Sequence, residues 1–93
     1  MTSDPFFRMT ITDVFSIKGR GTVVIGQVES GTLKVGDEIN LARSGGLALA
    51  VTVTGIEQVR KLLSEANAGD NVGVLLGGID KKDVQKGDVL LGA

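Results

Sequence analysis

The sequence predicts an all-β protein, a small and largely antiparallel barrel of six or so short strands. Three observations carry that prediction. Apolar and polar residues alternate with a period of two along most of the chain. Glycines, 14 of them in 93 residues, punctuate the alternating runs. β-Branched residues crowd the runs between the glycines, as strands favour. Short strands divided by glycine turns indicate a barrel, and no interdomain linker or low-complexity segment interrupts the chain.

The first run starts at Phe7. Phe7, Met9, Ile11, Phe15 and Ile17 fall on one face, with Arg8, Thr10, Thr12, Ser16 and Lys18 on the other. Asp13 falls on the apolar parity, so either a bulge turns it outward or its carboxylate is buried and hydrogen-bonded. Thr22–Ser30 follows, bounded by Gly19, Gly21 and Gly31. Further strands are expected at Glu38–Ala42, Leu47–Thr54, Val72–Leu76 and Val89–Leu91, with Leu47, Leu49, Val51 and Val53 sharing a face. Three Gly-Asp pairs (Gly36-Asp37, Gly69-Asp70 and Gly87-Asp88) each precede an apolar strand pattern. Glycine takes positive φ without steric cost and Asp accepts from nearby amides, so the pairs read as turns, their acids solvated. One segment opposes the barrel. Ile56, Val59, Leu63 and Ala66 recur at helical spacing among good helix formers, and Thr54-x-x-Glu57 imitates a capping box. Local signals alone predict a helix over 55–66.

Composition narrows the chemistry. Without Cys or His the chain has no disulfide, no thiolate nucleophile, no zinc site of the usual ligand types and not the commonest general base. A net charge of -1 gives no global basic field. Met1–Pro5 carries an acid where a signal peptide has basic residues, and no long apolar stretch follows, so a soluble, cytoplasmic protein with no membrane association is expected. Gly19-Arg20-Gly21-Thr22 lacks the Lys-Ser/Thr ending of a phosphate loop, and Asp70-Asn71-Val72-Gly73 matches a GTPase switch pattern with no phosphate loop to accompany it. No nucleotide binding, cofactor or catalysis is expected. Lys81, Lys82 and Lys86 lie near Asp80, Asp83 and Asp88 and read as a mixed solvated surface rather than an anion site.

Longer motifs point to a family. Asp13-Val14-Phe15-Ser16-Ile17, Gly19-Arg20-Gly21-Thr22-Val23-Val24, Gly26, Val28-Glu29 and Gly31 are followed in order by Lys34-Val35-Gly36-Asp37-Glu38 and Arg60-Lys61-Leu62-Leu63. Ala68-Gly69-Asp70-Asn71-Val72-Gly73-Val74-Leu75-Leu76 and Gly87-Asp88-Val89-Leu90 complete the series. From about Phe6 to Leu91 the chain resembles domain 2 of elongation factor Tu and its translational GTPase relatives. The resemblance implies residues 1–5 as an N-terminal extension and 6–93 as a closed, six- to seven-stranded antiparallel barrel. It overrides the local helix: Val53 to about Lys61 continues as a strand, Gly55 is a bulge, and Leu63–Gly69 turns.

In that family the domain packs on a GTPase domain and helps hold the aminoacylated 3′ end of tRNA. Carried across by resemblance, Ile17, Val23 and Leu75 would line the pocket of the terminal adenine, with the Glu57 acid beside it. Arg60 and Asn71 would lie near the aminoacyl ester and amino group. The chemistry suits these roles. An apolar slot offers a base a dry face, Glu57 can accept from an exocyclic amine, Arg60 suits phosphate or carbonyl oxygens, and Asn71 both donates and accepts. Ordinary barrel packing is the competing account of Ile17, Val23 and Leu75.

The chain also departs from the family. Thr12 stands where a glutamate is usual, Ile25 replaces a threonine, and Gln27, Ser30 and Gly77 replace arginines. Three missing charges would weaken phosphate contacts by ~1–3 kcal/mol each. The GTPase and third domains are absent from the sequence. The altered charges favour a free-standing, non-enzymatic barrel making protein or RNA contacts over a domain cut from a full elongation factor. The surface that faces the GTPase domain in relatives would then meet a protein partner or a second copy, with aminoacyl-tRNA the other expected partner.

Overall fold

The computed structural model describes residues 3–93; the first two residues of the expected N-terminal extension lie outside them. The described residues form nine strands: β1 (Arg8–Ile17), β2 (Gly21–Ser30), β3 (Thr32–Lys34), β4 (Glu38–Ala42), β5 (Leu49–Gln58), β6 (Lys61–Leu63), β7 (Glu65–Asn67), β8 (Asn71–Gly77) and β9 (Val89–Leu91). Six of them close a ring in the order β4-β9-β1-β2-β8-β5, and a β4–β5 pairing returns the sheet to its start. Every neighbour in the ring is antiparallel. The all-β barrel that the sequence predicts is thus present, with β6 as a seventh strand paired to β5 and β3–β7 as a separate ribbon.

Closure removes the exposed edges that an open six-stranded sheet would leave. Inside lie Met9, Ile11, Val24, Leu41, Val53, Ile56, Val74 and Leu90, each almost fully buried. The ribbon contributes Leu33 and Ala66 to the same core and so covers one end of the barrel. At the other end a single 3-10 turn, Lys81–Asp83, sets Val84 into the core.

Bulges decide which residues face in. Between Ile11 and Asp13 the β1–β2 register slips by one residue, so Thr12 is unpaired and the pleat changes parity. Of the two alternatives for Asp13, the bulge holds. Its consequence corrects the expected face: Val14 turns inward, while Phe15 and Ile17 turn outward and are 48% and 36% exposed. A second slip between Val53 and Gly55 places the expected bulge in β5. A third leaves Glu29 unpaired on β2, and its carboxylate takes over as acceptor for the Thr10 amide at 3.0 Å.

The segment 55–66 is not a helix. It holds the end of β5, a two-residue turn at Val59-Arg60, β6 and the start of β7. The strand that the resemblance carried to Lys61 stops at Gln58, and the expected turn Leu63–Gly69 contains β7, whose pairing with β3 buries Ala66. Leu47 also departs from its expected face, for β5 begins at Leu49 and Leu47 is 83% exposed.

The Gly-Asp pairs form three copies of one turn. Gly36, Gly69 and Gly87 have φ of 98°, 94° and 94°. In each, the aspartate amide donates to the carbonyl three residues back, and its carboxylate accepts from that same residue's amide: Lys34 at 2.9 Å, Asn67 at 2.9 Å and Gln85 at 3.0 Å. Glycine at the third position with positive φ fits a type II turn. The expectation of solvated acids fails at two of the three. Asp37 and Asp88 are 3% and 1% exposed, and the Asp88 carboxylate accepts a second amide, that of Ser44 at 3.3 Å.

The chain ends meet. The Ala93 amide donates to Ser3 Oγ at 2.7 Å, the Gly92 amide to the Phe7 carbonyl at 2.9 Å, and Asp4 accepts from the Thr32 amide at 2.9 Å.

Candidate functional site

The two bulges direct side chains of β1 and β5 onto the outer face of the barrel beside β2 and β8. Cross-strand register then fixes two rows there. One runs Phe15, Val23, Leu75, Gly55; the next runs Asp13, Ile25, Gly73, Glu57, Leu62. Val23 and Leu75 are 4% and 7% exposed yet lie outside the central core, so they form a second, small apolar cluster on the outside. Two glycines keep this face hollow. A Cβ on Gly73 would sit 3.2 Å from Ile25 Cδ1 and 3.4 Å from Val23 Cγ1, and one on Gly55 would sit 3.4 Å from Leu75 Cδ1.

Over Gly73 lies an open groove of about 320 Å3 with Val23, Ile25, Glu57, Val59 and Asn71 among its walls. Its floor is apolar, and its polar groups sit at the rim. Glu57, at the end of β5, holds Arg20 through a 2.8 Å ion pair from the guanidinium to Oε2. Arg20 leaves the turn before β2, two rows away, so the pair reaches across the row that holds Val23 and Leu75. Gln58 donates to the Asn71 carbonyl at 3.4 Å, which ties the end of β5 to the start of β8 and leaves the Asn71 side chain at the surface.

The six residues expected from the resemblance separate into three groups. Val23, Glu57 and Asn71 line the groove together. Leu75 stands behind Val23 as its cross-strand partner, and Ile17 sits at the far end of β1, paired with Gly21. Arg60 occupies the turn that follows Val59 and has φ 58°, the lone non-glycine residue with positive φ among those described. That conformation costs an L-residue about 1–2 kcal/mol. Sequence reasoning missed Arg20, Ile25 and Gly73. The signal for Gly73 was there, since a glycine inside an apolar strand run, Val72-Gly73-Val74, marks a close approach or an open place on the sheet.

The model of one family, elongation factor Tu domain 2, matches residues 21–91, from the first residue of β2 to the last of β9. The chain belongs to the elongation factor Tu domain 2 family. Its barrel is therefore of translation-factor type, and the groove of this domain 2 barrel is built almost wholly from matched strands; Ile17, on β1, lies outside the match. Among the described residues no helix is long and apolar enough to cross a membrane.

Four of the five positions that the resemblance marked as departures make local contacts in the barrel. Thr12 is the bulged residue, and its hydroxyl donates to the Ile25 carbonyl at 3.1 Å. Gln27 donates to the Gly69 carbonyl at 3.1 Å and Ser30 to the Phe6 carbonyl at 2.6 Å. Gly77 leaves little space for a side chain, since a Cβ there would come within 3.0 Å of Thr54 Cγ2.

Proposed function

We propose that this protein is a non-catalytic binding module in which the groove over Gly73 receives the unpaired terminal base of an RNA, with an aminoacyl-tRNA 3′ end as its ligand. One observation carries the reading: an open apolar hollow of about 320 Å3 with a carboxylate and a carboxamide at its rim. A base entering the hollow would lie on Gly73 against Val23 and Ile25. Arg20 occupies Glu57 Oε2, which leaves Oε1 to accept from an exocyclic amine. The Asn71 side chain could meet a carbonyl or an amino group, and Arg60, in the turn with the groove-lining Val59, could meet phosphate or ester oxygens.

The test is fluorescence anisotropy of charged and uncharged tRNA with the wild-type protein and with Arg60→Ala and Glu57→Gln. The expected result is tighter binding of the charged form, weakened by either substitution. Equal affinity for the two forms, or no binding of either in the millimolar range, would overturn it.

A second reading is favoured by the β5–β6 hairpin. Val59 is 92% and Leu62 75% exposed, side by side with the groove wall. An apolar hairpin tip of this kind would suit a protein partner or a second copy of the chain. Sedimentation equilibrium at rising concentration, with Val59→Ser/Leu62→Ser as control, distinguishes self-association from a monomer.

A further inference from the structure

At the end of the barrel remote from the groove, the β4–β5 loop and the 3-10 turn enclose a second cleft, of about 420 Å3. Arg43, Lys81 and Lys82 line it together with Asp83 and Asp88. By charge alone this would be a self-neutralised surface, as the sequence suggests. The geometry differs. Asp88 is 1% exposed and spends its carboxylate on two backbone amides, Gln85 at 3.0 Å and Ser44 at 3.3 Å. Asp83 accepts from the Asp80 amide at 3.1 Å. Among the described residues, none of the three cations has a carboxylate within ion-pair distance.

Asp88 thereby fastens one wall of the cleft to the other, since Ser44 belongs to the β4–β5 loop and Gln85 to the segment after the 3-10 turn. Arg43 is oriented as well. Its Nε donates to the Leu47 carbonyl at 3.0 Å, and its guanidinium lies over Gly46, where a Cβ would be 3.6 Å away. Its terminal nitrogens are left for a ligand. A fixed guanidinium with two ammonium groups across a cleft is donor chemistry for a phosphate-type anion.

We propose that this cleft binds phosphate groups, either successive phosphodiesters of an RNA strand or a free polyphosphate. The inference is independent of the groove, which lies at the other end of β5 and β8. Amide NMR titration with inorganic pyrophosphate, and separately with an eight-residue oligouridylate, tests it and distinguishes the two sources. The expected result is saturable shifts at Gly45, Gly46 and Lys82 with at least one of the two probes. Lys81→Gln/Lys82→Gln should weaken that binding tenfold or more, while Lys34→Gln/Lys61→Gln, an equal loss of charge on exposed strands, should change it less than twofold. With the oligouridylate, the slope of log affinity against log salt should fall by about 0.7 for each cation removed. Failure to saturate with either probe at tens of millimolar, or equal weakening by the two double variants, would overturn the proposal.

Discussion

Filling the groove at Gly73 separates its role in binding from any role in folding. Gly73 is buried in β8 and its φ lies outside the left-handed region, so an L-residue can take its place without backbone strain. A Cβ there approaches only the ends of the Ile25 and Val23 side chains, at 3.2 and 3.4 Å, and is 4.0 Å from the nearest backbone atom, the Glu57 carbonyl oxygen. Gly73→Ala loses a little to that crowding and recovers ~0.4–1 kcal/mol from the smaller entropy of the unfolded chain. Its stability should stay within about 0.5 kcal/mol of wild type. Gly73→Leu projects three further carbons into the 320 Å3 groove. A base excluded from the groove forfeits apolar contact on the scale of one buried aliphatic side chain, ~1.5–3 kcal/mol, or roughly 10- to 150-fold in affinity. Urea unfolding and anisotropy of a labelled acceptor-end RNA measure the two quantities. Gly26→Ala is the internal control, because its Cβ would fall 2.4 Å from the Thr10 carbonyl oxygen and destabilise the barrel by about 3 kcal/mol. Wild-type RNA affinity in a folded Gly73→Leu protein would refute the groove as the base site. A loss of more than about 2 kcal/mol in Gly73→Ala would refute the packing argument itself.

Other predictions concern single groups. Asp88→Ala removes the acceptor of two amides at a buried site and should cost about 2–4 kcal/mol in urea unfolding, with Asp70→Ala, in another copy of the turn and less buried, costing clearly less. Arg60→Gly releases the positive φ and should leave stability unchanged or raise it by up to about 1 kcal/mol while weakening RNA binding; a marked loss of stability would show that Arg60 holds the hairpin. Glu29 supplies the pH dependence. The Thr10 hydroxyl, against partial desolvation and with help from Arg8 and the Thr10 amide, holds its carboxyl below the usual carboxylate range. A depressed folded value stabilises at pH above the unfolded value and is lost as pH falls through the folded one. Thermal unfolding of Glu29→Gln from neutral pH to about pH 3 should therefore show a deficit at the neutral end that closes in acid.

Strand identity was readable where side chains alternate without interruption. Thr22–Ser30, Glu38–Ala42 and Val89–Leu91 fall within a residue of β2, β4 and β9. Parity was readable only up to the first bulge, because one unpaired residue at Thr12 exchanges the faces of everything after it. The helical spacing of 55–66 misled because Ile56 and Ala66 are buried by different partners, β8 and β3, and Val59 by none. Burial of Asp37 and Asp88 could not be seen in Gly-Asp pairs that look alike; it depends on what the rest of the chain packs around each turn, such as the β4–β5 loop that brings Ser44 to Asp88. Of the candidate site, the polar rim residues came from family resemblance, whereas the hollow over Gly73 and the Arg20–Glu57 pair required the register of three strands at once.

The meeting of the chain ends has a mechanical consequence. Arg8, the first residue of β1, is paired with Leu91, the last of β9, and the Ser3–Ala93 and Phe7–Gly92 bonds lie just outside that pair. A force applied through the two ends acts along the inter-strand hydrogen bonds and loads them one after another, as a zipper opens. The barrel should yield at low force when stretched end to end, whatever its resistance to urea. Pulled instead through Thr22 and Asn71, at opposite ends of the paired strands β2 and β8, the ladder would be sheared with its bonds sharing the load, and would hold far longer.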